Sequence, residues 1–225
     1  MEYEIDHRPS DSLLTVSLDA GEQIRAESGA MVSHTAGIEM ETNATGGFLS
    51  SLRRSVMGGE SFFQNTFTAR EAGEVSFAPP LAGDIEHHPV DGTVYVQSGS
   101  YIAATPDIDV DTEFGGARTF FGSEGLFLLR CAGVGPLFMS SYGAIRPVDV
   151  RSSEPFVVDT GHIVAFEEGV DFTVRRVGGL KSTLTSGEGL VAEFTGEGRV
   201  WLQTRSTDAF LSWLIPKLPQ RSSSQ

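Results

Sequence analysis

Carboxylates at a fixed spacing are the first residues that could do chemistry: Glu60, Glu124 and Glu188 stand 64 residues apart along the chain. Gathered on an axis, they could hold a cation or a ligand, because three like charges raise one another's pKa and cost stability unless something offsets them. The plainer role is local, each glutamate accepting backbone N–H bonds in its own glycine-flanked turn, and it is the one we favour. Asp159 and His162, flanking Gly161, could supply the acid and base of an Asp-His-Ser hydrolase. Serines abound, but there is no GxSxG elbow to aim one, so a structural hydrogen-bonding role is favoured for His162. Gln203 and Arg205 complete the polar candidates, for a small ligand or nucleic acid held at a subunit seam.

Metal and phosphate sites lack their ligands. A calcium loop starting at Asp107 and running through Asp109 and Asp111 needs Gly and Glu where Thr112 and Arg118 stand. Ile108 and Val110 between the carboxylates suit an exposed strand face instead. His87 and His88 are adjacent, and neighbours on a strand point to opposite faces. The run from Gly133 to Phe138 lacks the third glycine of a dinucleotide fingerprint, and Leu180 precedes Lys181-Ser182 where a P-loop has glycine. No metal and no cofactor is expected.

The elements that must position these residues recur. Gln97 to Val110, QSGSYIAATPDIDV, has one relative upstream, ESGAMVSHTAGIEM from Glu27 to Met40, and one downstream, DTGHIVAFEEGVDF from Asp159 to Phe172. Each carries a Ser-Gly or Thr-Gly pair at Gly29, Gly99 or Gly161, then Ile38, Ile108 or Val170 nine positions on, then an acid. Self-similarity of this kind outranks any catalytic motif as a guide to fold. The repeats run from about 13 to 89, 90 to 151 and 152 to 206, within a single domain covering residues 1–206.

Turn residues recur every eight to twelve positions or so, and the runs between them alternate with period two, which reads as an all-β sandwich or barrel. Leu14, Val16 and Leu18 face one way and Thr15 and Ser17 the other; Ile38, Met40 and Thr42 alternate with Glu39 and Glu41. Turns are expected at Asp19 to Gly21, Gly133 to Pro136 and Gly196 to Gly198. Each repeat is too small to bury a core alone, so the three should pack cooperatively around a common centre.

Two segments depart from the strand pattern. Between Gly46 and Gly59, Phe48, Leu49, Leu52, Val56 and Met57 fall at helical spacing with Arg53 and Arg54 opposite. The functional reading is a contact for a membrane surface or protein partner through Phe48, Leu49, Leu52, Arg53 and Arg54; the favoured one is a helix that packs internally or at a subunit seam. At the other end, Ser206-Thr207-Asp208 starts a helix that Pro216 stops. Phe210, Leu211, Trp213, Leu214 and Ile215 leave 207–219 almost no polar side, so burial against the body or a neighbouring subunit is expected. Residues 220–225 read as a disordered tail.

Composition bounds the rest. With 225 residues and 40% aliphatic and aromatic content, the chain can fill a core. No apolar run reaches the roughly 20 residues of a membrane-spanning helix, and the start has no signal-peptide pattern, so a cytoplasmic protein is expected. Cys131 is the lone cysteine and has no intrachain partner. The net charge is −14, and Lys181 and Lys217 are the only lysines among 16 basic residues. Such a coat repels polyanions, so nucleic acid is an unfavoured partner. It also fits a salt-rich cytoplasm, where a Debye length of about 3 Å at molar salt would screen its self-repulsion.

Five stretches, GGESFFQNTFTA (58–69), SFAPPLAGDIE (76–86), VVDTGHIVAFEEGV (157–170), SGEGLVAEFTGEGRVWLQTRS (186–206) and the closing FLSWLIPKLP, resemble the mitochondrial-biogenesis family named for altered inheritance of mitochondria, number twenty-four. The resemblance runs from residue 1 to about 219. It implies a fold like that of the tryptophan RNA-binding attenuator protein, with three small double-stranded β-helix-like units per chain and three chains in a nine-unit ring. It implies no reaction, and RNA binding does not transfer with the fold. The expectation is therefore a non-enzymatic homotrimeric β-ring acting as scaffold or binding module for a protein or membrane-associated partner. A ring that binds a small ligand or nucleic acid is the second reading, and a hydrolase around Asp159 and His162 the third.

Overall fold

Leu14, Val16 and Leu18 are buried and the residues between them half-buried, so the period-two alternation expected of the first strands is realised. The computed structural model describes residues 1–42, 62–112, 128–151, 154–176 and 190–219, which are almost entirely β with one short helix near the C-terminus.

The first third holds β1 (Glu2–Asp6), β2 (Leu13–Leu18), β3 (Gln23–Glu27), β4 (Met31–His34), β5 (Ile38–Thr42), β6 (Gln64–Ala69) and β7 (Gly73–Phe77). Here β2 pairs with β7, β3 and β5 flank β6, and β4 lies on β7, all antiparallel. The middle third has β8 (Ile85–Gln97), β9 (Tyr101–Ala104), β10 (Ile108–Thr112) and β11 (Leu128–Ser140). Strand β8 pairs with β11 along its whole length, while β10 lies on the first half of β11 and β9 on the second. The last third holds β12 (Ile145–Val150), β13 (Phe156–Asp159), β14 (Ile163–Glu167), β15 (Val170–Arg176), β16 (Leu190–Gly196) and β17 (Gly198–Gln203). There β12 pairs with β17, β13 and β15 flank β16, and β14 lies on β17.

The expected turn at Gly133 to Pro136 is not a turn: β11 runs straight through it. Gly133 sits opposite Gly92 of β8, and both have positive φ, 147° and 126°. Glycine alone tolerates that conformation cheaply, so the two long strands stay paired through it instead of breaking. The turn between Gly196 and Gly198 does separate two strands, as expected. On the outer strand β5 the alternation buries Ile38 but leaves Met40, on the same face, 46% exposed.

Three apolar clusters fill the molecule. One centres on Leu14, Phe67 and Phe77, one on Tyr101, Met139 and Trp201, and one on Phe166, Phe194 and Val200. Each large side chain buried there contributes about 1.5–3 kcal/mol relative to exposure. The strands join into a ten-stranded path, with a four-stranded sheet β1-β2-β7-β4 and a three-stranded sheet β13-β16-β15 standing apart from it. The pairing is open: among the described residues β4 and β13, each at an edge of one of the two smaller sheets, do not pair with each other.

The C-terminal helix α1 (Thr207–Leu214) starts where its sequence signal stands, with the Ser206 hydroxyl accepting from the Ala209 N–H. It is not buried against the body. None of its residues is buried, and Trp213 and Ile215 are 58% and 60% exposed. Among the described residues no helix is long and apolar enough to cross a membrane. The Phe48 to Met57 insertion, Glu60, Glu124, Glu188 and residues 220–225 lie outside the described residues.

Candidate functional site

Asp159, His162 and Gln203 come together at one corner, where β13 ends, a single 3-10 turn (Thr160–His162) follows, and β17 finishes. Asp159 caps that turn, its carboxylate accepting from the Gly161 N–H at 2.9 Å. The imidazole Nδ1 of His162 lies 2.7 Å from the Gln203 carbonyl oxygen. Gln203 is buried, and its carboxamide spans two loops: Nε2 donates to the Gly161 carbonyl at 2.8 Å and Oε1 accepts from the Tyr142 N–H at 2.9 Å. Every one of these bonds ends on the main chain. Side chains tied to backbone in this way fix loop geometry. Among the described residues no hydrogen bond joins Asp159 to His162.

Arg205, the other polar candidate, enters through its backbone, its N–H donating to the Tyr142 carbonyl at 3.2 Å. Its side-chain stem lies against Gly143, a residue of positive φ where any Cβ would collide with the Thr204 hydroxyl. The loops that close successive thirds of the chain are thereby laced together. Ser12 N–H donates to the Gly83 carbonyl, Asp84 N–H to Gly143, and Thr204 N–H to Ala144.

A cleft of about 240 Å3 opens between this corner and α1. Its apolar wall includes Leu81, Tyr142 and Leu211, and its polar side includes Gln97, Ser140 and Gln203. Sequence reasoning found Gln203 but missed Gln97 and Ser140. The available signal was position, since Gln97 opens the central recurring stretch as Asp159 opens the last. A second groove, about 280 Å3, is lined by Asp149, Arg151, Glu167 and Arg199. Its carboxylates are tied down within the groove: the Arg199 side chain donates to Asp149 at 3.0 Å and the Arg199 N–H to Glu167 at 2.8 Å. The hydrogen bond from Arg199 holds the Asp149 carboxyl below the usual carboxylate range.

Three further titratable groups are shaped by burial. The Cys131 thiol lies inside the middle cluster and is pushed up to about 12, which keeps it protonated and inert. His87, bonded to the Tyr3 hydroxyl at 2.8 Å, and His88, edge-on to Trp201, are both shifted downward by desolvation.

The family described as mitochondrial biogenesis AIM24 matches residues 3–205. An uncharacterised protein of Streptococcus pyogenes serotype M6 is 25% identical over 231 residues, covering 99% of this chain and 93% of that protein. A crystal structure of a Streptococcus pyogenes protein superposes with a TM-score of 0.81 at 24% identity, covering 96% of this chain and 99% of that one, a likeness of fold.

Proposed function

The chain belongs to the mitochondrial biogenesis AIM24 family, and from that premise we propose a non-enzymatic β-ring, assembled from copies of itself, that serves as scaffold or binding module. The observation that carries this reading is the use made of the candidate polar residues. Asp159, His162 and Gln203 spend their hydrogen bonds on the main chain and hold loops in place. The partner is a protein or a membrane surface, met through the segment containing Phe48, Leu49, Leu52, Arg53 and Arg54 or through the exposed apolar face of α1.

The ring is built from three copies of one small β unit per chain, closing as a homotrimer. Two features support the copies. The same pairings recur in each third: in the first β2–β7, β3–β6, β5–β6 and β4–β7, and in the last β12–β17, β13–β16, β15–β16 and β14–β17. Strands β4, β9 and β14 also each slip register at one place, after Met31, Tyr101 and Ile163, the fifth residue of each recurring stretch. The acidic surface, at a net charge of −14, supports life in a salt-rich cytoplasm.

Native mass spectrometry in molar salt tests the assembly, with a trimer expected and a single chain contradicting it. Phe48→Asp combined with Leu52→Asp should abolish recovery of partner or liposomes while leaving assembly size alone; unchanged recovery removes that segment from the reading. The cleft beside Gln203 supports a second reading, a ring that binds a small ligand. Mass spectrometry of the purified protein tests that one, and protein free of any co-purifying small molecule counts against it.

A further inference from the structure

Both seams inside the chain share one register. Between the first and middle thirds, β3 meets β9 with Arg25 opposite Ala104 and Ala26 opposite Ala103. Between the middle and last thirds, β8 meets β14 with Tyr95 opposite Phe166 and Val96 opposite Ala165. Ala26 and Val96 immediately precede a recurring stretch, and Ala103 and Ala165 each stand at its seventh position. Strand β13, which carries Val157 and Val158 just before the last stretch, is the remaining strand of the first kind. Strand β4, which carries Ser33 and His34 at the seventh and eighth positions of the first stretch, is the remaining strand of the second kind.

Of the six strands of these two kinds, those two are the ones that pair on one side only. Among the described residues β4 pairs with β7 alone and β13 with β16 alone. Burial records the difference. Ile102, Ala103 and Ala104 of β9 and Val164 and Ala165 of β14 are 0% exposed, whereas Val32, Ser33 and His34 at the matching positions of β4 are all exposed. Val157 of β13 is 47% exposed, although the matching Arg25 and Tyr95 are half-covered. Large apolar side chains are exposed on both strands, Val32 of β4 at 57% and Val157 of β13 at 47%. A bare strand edge is a row of unpaired N–H and C=O groups, and it templates addition of another strand.

We propose that β4 of one copy of this chain adds antiparallel to β13 of a second copy, with Ser33 opposite Val158 and His34 opposite Val157. This rests on the self-assembly reading above and specifies its contact. The occupant is a second copy because the bare edges are the two missing halves of a seam this chain already makes twice, in one register. The sheets β1-β2-β7-β4 and β13-β16-β15, which stand apart in the single chain, then join across molecules as the others join within it. The contact is head to tail, since unlike edges meet, and each copy keeps one free edge of each kind until the chain of copies closes.

Cysteine trapping tests the register. In His34→Cys/Val157→Cys the new thiols face each other across an antiparallel pair, within the separation a disulfide spans, and both positions are exposed in the single chain. Cys131 is buried with its thiol held protonated, so it stays silent. Mild oxidation should link the double variant into covalent multimers that end at the native assembly size, while His34→Cys alone and Val157→Cys alone stay unlinked. A linked dimer of either single variant would mean that like edges meet, and overturns the proposal. In a second arm, His34→Asp/Val157→Asp sets like charges opposite each other and should reduce the assembly to single chains with an unchanged circular dichroism spectrum, and His34→Lys/Val157→Asp should restore it. A wild type that is a single chain at micromolar concentration sinks the self-assembly reading itself. Assemblies that survive the Asp pair and resist trapping keep that reading and overturn this seam.

Discussion

Arg8 grips Asp84 from 76 residues away, its Nε donating to Oδ1 at 2.7 Å and its Nη2 to Oδ2 at 2.9 Å. The same guanidinium reaches Glu86 at 2.9 Å, and the Asp84 carboxylate also accepts from Ser12 and from the Ile85 N–H. Asp84 is nearly fully buried while Arg8 is partly exposed, so the two ends of the pair differ in what their loss would cost.

Asp84→Ala should destabilise the fold by about 3 kcal/mol, because it strips buried donors of their acceptor. Arg8→Ala should cost less, about 1 kcal/mol, since the Asp84 carboxylate keeps Ser12 and backbone donors and the arginine side is open to water. Urea titrations of the two variants check the order; equal losses would mean the partners are equivalent.

Gly83→Ala should be damaging although Gly83 has ordinary backbone dihedrals. A Cβ there would overlap the Ser141 carbonyl oxygen, a backbone atom two residues before Gly143, with which Gly83 forms a parallel bridge. The expected loss is about 2–3 kcal/mol, seen as a lower urea midpoint. Gly21→Ala, where a Cβ meets nothing within 4 Å and only the positive φ is strained, should cost about 1 kcal/mol.

Stability should fall as pH drops from about 7 through the ordinary histidine pKa of about 6.5. Burial lowers the pKa of His87 and His88 below that value in the folded state. The unfolded chain therefore takes up protons first, and the contribution of the neutral imidazoles is complete above about pH 6.5 and shrinks below it. His88→Gln should flatten the decline in melting temperature between pH 7 and 5; an unaltered slope would exclude His88 as a source.

The melting temperature should climb steeply from low to molar KCl. At a net charge of −14 the dominant long-range term is self-repulsion, and salt screens it. Thermal scans across the KCl series decide it, and a flat profile would show that local pairs such as Arg199–Asp149 already balance the field.

Strand periodicity, the recurring stretches and the capped C-terminal helix were legible because they are local. Side-chain alternation and the Ser206 cap depend on residues a few positions apart, and the sequence displays those directly. The place of His162 in a turn was also visible, although the Gln203 carbonyl that its ring meets, 41 residues on, was not.

What only the tertiary structure decided is which strands lie side by side. Period two says that Met40 alternates with its neighbours, but β5 pairs with β6 alone among the described strands, and that leaves Met40 in water. Gly133 and Gly135 read as a turn, yet β11 runs on through them paired with β8, Gly133 opposite a second positive-φ glycine, Gly92. The cleft under α1 and the bare edges of β4 and β13 likewise arise from contacts between residues far apart in the chain. Local preference fixes what each segment is, whereas burial and edge pairing, which sum over distant segments, fix where it goes.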